Sequence, residues 1–360
     1  MKLLVWQWGR RGAGPRFAME LAAALNGVRG VTPVLSLSRQ AEIMQTGIAR
    51  CDLPIDTYRN AVGWAARLLS APLRVRRLAR QLRALKLDAA LCAMPGPLDL
   101  VMGAALRRAG VPFAVVVHDA DLHPGDILRL QAVFQRHLLR RAGALVALST
   151  HVGQRLEEQG VLGGRPMLSV GLSSFAFGPP PPPPGGHGGK LRLLSFGRLL
   201  PYKGLDLLLA ALERVGPGGL EVRIVGLGPE SPVLAALRAL PGVSVENRWV
   251  PETEIGALLA WADAVVLSHR EASQSGVAAA AIAARRWIVA TRVGGLVEQL
   301  ENEPLARLCA PDGEHLAQAI SSLLTDPPPR VSPRQDVFQH GAINLAHQIA
   351  MAFNVSNGLA

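Results

Sequence analysis

Leu191-Arg192-Leu193-Leu194-Ser195-Phe196-Gly197-Arg198-Leu199-Leu200-Pro201-Tyr202-Lys203-Gly204 holds the pattern that decides the fold. A short apolar run, Leu191–Phe196, ends in a glycine, a polar loop follows, and an apolar helix comes next. Such a run reads as a strand buried on both faces, as in a parallel sheet. Parallel strands need crossover helices, and the binding pockets of open α/β sheets lie at the carboxyl ends of their strands. Loop 197–204 therefore falls at a binding edge. Its two cations, Arg198 and Lys203, stand five residues apart and suit a diphosphate: the guanidinium makes forked contacts with phosphate oxygens, and the ammonium is a mobile point charge. A pair of solvated surface charges is the other reading.

The same rhythm extends in both directions. Towards the carboxyl terminus, Glu221–Val225, Val243–Val245, Ala264–Leu267 and Trp287–Ala290 read as further buried strands. In the first half Lys2–Trp6, Ala89–Ala93, Pro112–Val117 and Ala144–Ser149 do the same, with a helix opened by Pro15 and closed near Asn26-Gly27. Between the halves lie six consecutive prolines, 179–184, and then Gly185-Gly186-His187-Gly188-Gly189. Polyproline joins neither a sheet nor a helix interior, and the glycines after it are permissive, so this stretch reads as a linker. The expected architecture is α/β: two Rossmann-like, doubly wound parallel-sheet domains facing a cleft, spanning 1–178 and 190–335 around the linker 179–189. Residues 336–360 form a tail with a closing helix over His340–Phe353.

Three more loops sit where ligands belong. After Ala264–Leu267 comes Ser268-His269-Arg270-Glu271-Ala272-Ser273-Gln274-Ser275-Gly276-Val277, running into the small-residue helix Ala278–Ala284. Ser275, Gly276 and Val277 would present open backbone N–H groups and a positive dipole end, a natural anion site. Glu271 reads either as an acceptor for sugar hydroxyls or as a helix-capping carboxylate. After the first strand, Gly12-Ala13-Gly14 opens a helix with Arg10, Arg11 and Arg16 around it. Phe17 stands where a Gly-x-Gly-x-x-Gly fingerprint needs its third glycine, so a dinucleotide site is not expected. The loop reads as a backbone approach to a ligand phosphate, with a plain βα turn as the alternative. After Pro112–Val117, His118-Asp119 occupies a strand's carboxyl end, with His123 and Asp126 shaping the loop beyond. No spacing here matches a metal site.

Composition sets the outer limits. A chain of 360 residues with 49% hydrophobic content excludes a disordered protein and suits two cores. No apolar run reaches the roughly 18 residues of a membrane span. The amino terminus MKLLVWQWGRRGAG is too short in apolar residues for a signal h-region, so a cytoplasmic protein is expected. Cys51, Cys92 and Cys309 are scattered and read as reduced core residues. Residues 1–178 carry 23 Lys and Arg against 11 Asp and Glu, whereas the remainder carries 15 against 16, so the whole excess of +11 sits in the first half. That asymmetry implies an anionic partner there: phospholipid, lipid-linked phosphate or nucleic acid. Leu73–Lys86 is one source of it. At about 100° per residue Val75, Leu78, Leu82 and Leu85 share one face, and Arg76, Arg77, Arg80 and Arg83 collect on the other. The stretch reads either as an ordinary surface helix or as one drawn to anionic lipid at the inner face of the plasma membrane. With 4% aromatics and no nucleic-acid-binding module, nucleic acid is not the expected partner.

The order of Gly197-Arg198…Lys203-Gly204, Val225-Gly226-Leu227-Gly228-Pro229-Glu230, the Glu271 loop, and Ala290-Thr291-Arg292-Val293-Gly294-Gly295-Leu296-Val297-Glu298 resembles the family-4 glycosyltransferases over most of residues 190–300. The resemblance implies a GT-B fold and retaining hexosyl transfer from a nucleotide diphosphate-sugar. The acceptor would be a glycan or lipid-linked precursor, as in polysaccharide assembly, with the donor as co-substrate and no further cofactor or metal. It implies that Arg198 and Lys203 neutralise the diphosphate, that Glu271 faces the donor sugar, that His118 hydrogen-bonds it, and that Asn247–Val250 borders the nucleobase. Two departures stand out. The family's second glutamate falls on Ala279 or Ala280, and its Gly-x-Pro turn is replaced by Arg285-Arg286-Trp287. A sugar-nucleotide epimerase on the same fold, and a catalytically silent protein binding sugar or nucleic acid, are the rival readings.

Overall fold

The computed structural model describes residues 1–121, 129–172, 174, 176–179, 181–185, 189–216, 218–326 and 336–357. The described residues divide into two compact units. The first comprises 1–121, 129–170 and 339–357, and the second the stretch from Gly171 to Phe338.

Each unit holds a six-stranded sheet in which every paired strand is parallel. In the first, β1 (Lys2–Gln7), β2 (Thr32–Leu37), β3 (Ala89–Cys92), β4 (Phe113–Val117), β5 (Ala144–Ala147) and β6 (Met167–Ser169) lie in the order β2-β1-β3-β4-β5-β6. In the second, β7 (Leu191–Phe196), β8 (Leu220–Gly226), β9 (Val243–Asn247), β10 (Ala264–Leu267), β11 (Trp287–Thr291) and β12 (Ala306–Cys309) lie in the order β12-β11-β10-β7-β8-β9. Both are doubly wound, as expected. The strand order reverses between β1 and β3 in one sheet and between β7 and β10 in the other, and these are the points where such sheets open a crevice.

Burial on both faces explains the unbroken apolar runs. Leu193 of β7 and Val266 of β10 pack in one core of the second unit, while their sequence neighbours Leu194 and Val265 pack in another on the opposite face. In the first unit Leu4 and Trp6 pack with Cys92, Val115 and the helix residues Met102 and Leu106. Among the described residues no helix is long and apolar enough to cross a membrane.

Candidate functional site

The loops at the reversal point of the second sheet are those that follow β7 and β10. A short 3-10 turn, Pro201–Lys203, follows β7, and Gly204 closes it at φ 63°. A Cβ there would stand 1.9 Å from the Ser268 carbonyl oxygen, so the two loops touch backbone to backbone, which only glycine permits. Ser268 Oγ donates to the Lys203 carbonyl (2.9 Å), and Arg270 N–H donates to the Tyr202 carbonyl (2.8 Å).

These contacts gather the cations. Arg198 and Lys203 both stand over the Tyr202 ring, 5.3 and 5.2 Å from its centroid. Lys203 Nζ donates to Nε2 of the buried His269 at 2.7 Å, which makes Nε2 the acceptor and puts the ring proton on Nδ1. Arg198, Lys203, Ser268 and His269 line one small pocket with Ser195 and Phe196. A Cβ on Gly197 would lie 3.6 Å from Val277, so the loop carrying Arg198 also borders the start of helix Gly276–Ala283. The Ser275 hydroxyl caps that helix by accepting from Ala278 N–H (3.2 Å), and Gln299 clasps Ser275 through both its N–H (3.0 Å) and its carbonyl (3.1 Å). The N–H groups of Gly276 and Val277 lie in the first turn, where no intrahelical acceptor exists. Glu271 is exposed on the loop between, next to Arg270, which pairs with Asp206.

The two glycine-bearing motifs further along are scaffolding for this edge. A Cβ on Gly226 would fall 1.6 Å from the Gly197 carbonyl oxygen, so β8 ends pressed against the Arg198 loop. Asn247, expected beside a nucleobase, has its amide committed within the loop: Oδ1 accepts from Gly228 N–H and Nδ2 donates to the Gly228 carbonyl, both at 3.0 Å, and to Glu230 Oε1 at 2.6 Å. Thr291 Oγ1 donates to the His269 carbonyl at 2.6 Å, and Gly295 N–H to that of Ala272 at 2.9 Å. Ala279 and Ala280 are fully buried.

In the first unit the reversal point brings together the ends of β1 and β3, with β4 alongside. Gly12 stands at the amino end of helix Ala13–Asn26 with φ 84°. Gly14 packs so tightly on Gln7 and Met94 that a Cβ would meet them at 2.7 and 3.1 Å. Arg16 turns along its helix to pair with Glu20 at 2.8 Å. His118 is buried, edge-on to Phe17 (centroids 4.9 Å apart), with Nε2 2.8 Å from the Ala93 carbonyl. Burial holds its imidazole below the usual histidine range, against the pull of Ala93 and of the Asp119 carboxylate. The neutral ring therefore donates Nε2–H to Ala93 and keeps Nδ1 as an acceptor. His123 and Asp126 lie outside the described residues. Among the described residues no group of three or more His, Cys, Asp or Glu side chains is placed to hold a metal ion.

Two doubly wound sheets, each with its candidate residues at a strand-order reversal, form the GT-B fold. The chain belongs to the glycosyl transferases group 1: that family's model matches residues 190–326, and a glycosyl transferase 4-like domain matches 12–167. It is similar to the glycogen synthase of Mycobacterium tuberculosis, 36% identical over 145 residues, which are 39% of this chain and 35% of that enzyme. It is also similar to the GDP-mannose:glycolipid 4-beta-D-mannosyltransferase of Xanthomonas campestris pv. campestris, 37% identical over 78 residues, 22% of this chain and 20% of the relative. The matched segments thus span about a third of the first relative's length and a fifth of the second's. In fold the chain is similar to Anabaena Alr3699/HepE, solved in complex with UDP and glucose. The TM-score is 0.68, with 17% identity over 100% of this chain and 99% of the other.

Proposed function

We propose that this glycosyltransferase moves a hexosyl group, with retention of configuration, from a nucleotide diphosphate-sugar to a hydroxyl of a glycan or lipid-linked acceptor. The observation that carries this reading is the pair Arg198 and Lys203 held over one ring beside the open end of helix Gly276–Ala283. Two like charges kept together repel, and a diphosphate between them removes that repulsion. During transfer the leaving diphosphate gains negative charge as the sugar becomes oxocarbenium-like. Fixed positive groups at that place stabilise this state more than the bound donor. Glu271 takes the sugar hydroxyls, and in the first unit His118 keeps Nδ1 for a ligand, since Nε2 is committed to Ala93.

Nucleotide-sugar use is supported by the fold neighbour solved with UDP and glucose, and a glycolipid acceptor by the name of the Xanthomonas relative. Retention rests on the family alone.

Thermal unfolding is to be followed with a panel of nucleoside diphosphates and their sugar conjugates, without added metal. The expected result is a rise with one base, lost in Arg198→Ala, whose midpoint without nucleotide stays at the wild-type value. Release of that diphosphate should then require an acceptor. A chain that no nucleotide stabilises overturns the reading, and sugar isomerisation without an acceptor would transfer it to an epimerase.

A further inference from the structure

Residues 57–87 hold eight cations, Arg59, Arg67, Arg74, Arg76, Arg77, Arg80, Arg83 and Lys86, and not one Asp or Glu. They form two helices, Ala61–Leu69 and Ala71–Leu85, joined at Ser70. The inner faces are spoken for: Trp64 and Leu68 of the first helix, and Leu78 and Leu82 of the second, pack against the first unit's core. The outer faces are unusual. On the first helix Val62, Ala65, Ala66 and Leu69 are all exposed, a stripe at i, i+3, i+4 and i+7 with no polar side chain in it. On the second, exposed Leu73 is followed on the same side by exposed Arg76, Arg77 and Arg80.

Leu69 (86% exposed), Val62 (78%) and Leu73 (71%) are the three most exposed large apolar side chains among the described residues. They fall within twelve positions of one another. Scattered exposed leucines are ordinary, but three such side chains crowded into one short stretch mark an interaction surface. The stretch is also fixed in place. Asn60 caps the first helix by accepting from Gly63 N–H (2.8 Å). Ser70 Oγ donates to the Ala66 carbonyl (2.8 Å) and accepts from Arg74 Nε (2.9 Å). Arg67 is turned inward onto the Thr57 carbonyl. The side chains of Arg76, Arg77 and Arg80, by contrast, make no hydrogen bond or ion pair with the described residues.

We infer that Val62, Leu69 and Leu73 insert into the surface of an anionic lipid bilayer while Arg76, Arg77 and Arg80 lie at its headgroups. An exposed apolar stretch beside an unpaired arginine row, with no carboxylate in the segment, matches the layered chemistry of such a surface: hydrocarbon beneath, phosphate above. Nucleic acid would use the arginines but leave the leucines in water, and a second copy of the chain would set arginine against arginine. The inference stands apart from the donor-site reading.

The test is flotation of the full chain with vesicles of phosphatidylcholine, alone or mixed with phosphatidylglycerol, without nucleotide. Binding is expected only to the mixed vesicles, weakening with salt. Arg77→Gln with Arg80→Gln should weaken it about 25-fold, at about fivefold per charge. Leu69→Ser with Leu73→Ser, which leaves the charge unchanged, should weaken it by at least about tenfold. Both pairs lie on the surface and should keep the wild-type melting midpoint and nucleotide response, so a lost donor site and a lost membrane site are told apart. Absence of flotation, equal binding to neutral vesicles, or a serine pair that abolishes self-association while leaving flotation intact would each overturn the inference.

Discussion

Asp99 is 1% exposed, with its carboxylate beside the ends of β1 and β3. It accepts from Gly96 N–H at 2.6 Å, Trp6 Nε1 at 3.2 Å and the Cys92 thiol at 3.5 Å. Burial raises its pKa to about 7, and those three donors only partly oppose the rise. The unfolded chain releases this proton near the ordinary carboxylate value of about 4. Between these limits the folded state binds more protons, so stability falls as pH climbs, by up to about 1.4 kcal/mol per pH unit. Asp99→Asn keeps the shape and removes the titration. Urea midpoints taken at about pH 5 and pH 7 should therefore drop for the wild type relative to the Asn variant. Equal slopes would mean that Asp99 is ionised throughout. Nothing in the sequence singles out Asp99, because its partners Trp6 and Gly96 lie at unrelated distances along the chain. Arg198 and Lys203 were legible for the opposite reason: five residues on one loop after one strand is a local pattern. His269, which holds Lys203 from 66 residues away, and Gln299, which clasps Ser275 from 24, belong to contacts that only the folded sheet creates.

Among the elements, the strands read most surely were the central ones. Leu191–Phe196 and Ala264–Leu267 occupy the predicted residues, and each is flanked by strands on both sides. The three strands that the apolar pattern does not disclose, β2, β6 and β12, are all edges. An edge strand is short or less apolar, and it tolerates proline, as β2 does at Pro33. The Arg285-Arg286-Trp287 departure also acquires a meaning. Arg285 takes the left-handed conformation usually left to glycine, at φ 51°, and is held by Glu303 at 3.3 Å. Arg286 is buried, and burial pushes its guanidinium down to about 10. It donates to the carbonyls of Ala284 (3.0 Å), Ala262 (2.8 Å) and Pro182. Asp263 accepts from the N–H groups of Gly185 and Arg192. The described part of the proline stretch is thus tied to β7, β10 and β11 in place of swinging as a free tether. Arg286→Met keeps the bulk and strands three carbonyls, which should cost about 3 kcal/mol. It should also open the segment around Pro182 to proteolysis before the rest of the unit. A variant as stable and as resistant as the wild type would show that the segment is held by other contacts.

At the scale of the whole molecule, the chain leaves the first unit at Val170 and re-enters it at Gln339. The closing helix Asp336–Asn357 buries Leu345, Ala346, Ile349, Ala350 and Phe353, so its last turns support the first unit although they follow the second in sequence. Charge divides along the same line, with the cationic excess confined to residues 1–178, whereas the Arg198–Lys203 and Ser275–Val277 loops lie beyond residue 190. A ligand that binds only the folded second unit raises that unit's stability by about 2.7 kcal/mol at a hundred times its Kd. Units that unfold separately should then give two calorimetric transitions, of which the binding diphosphate moves one. Ile349→Ala removes a fully buried side chain and should cost about 2–5 kcal/mol. Because residue 349 belongs with the first unit, that loss should lower the transition the nucleotide leaves in place, while the nucleotide-responsive transition keeps its midpoint. If Ile349→Ala instead lowered the responsive transition, the closing helix would be stabilising the second unit. If both transitions fell together, the two units would melt as one cooperative body.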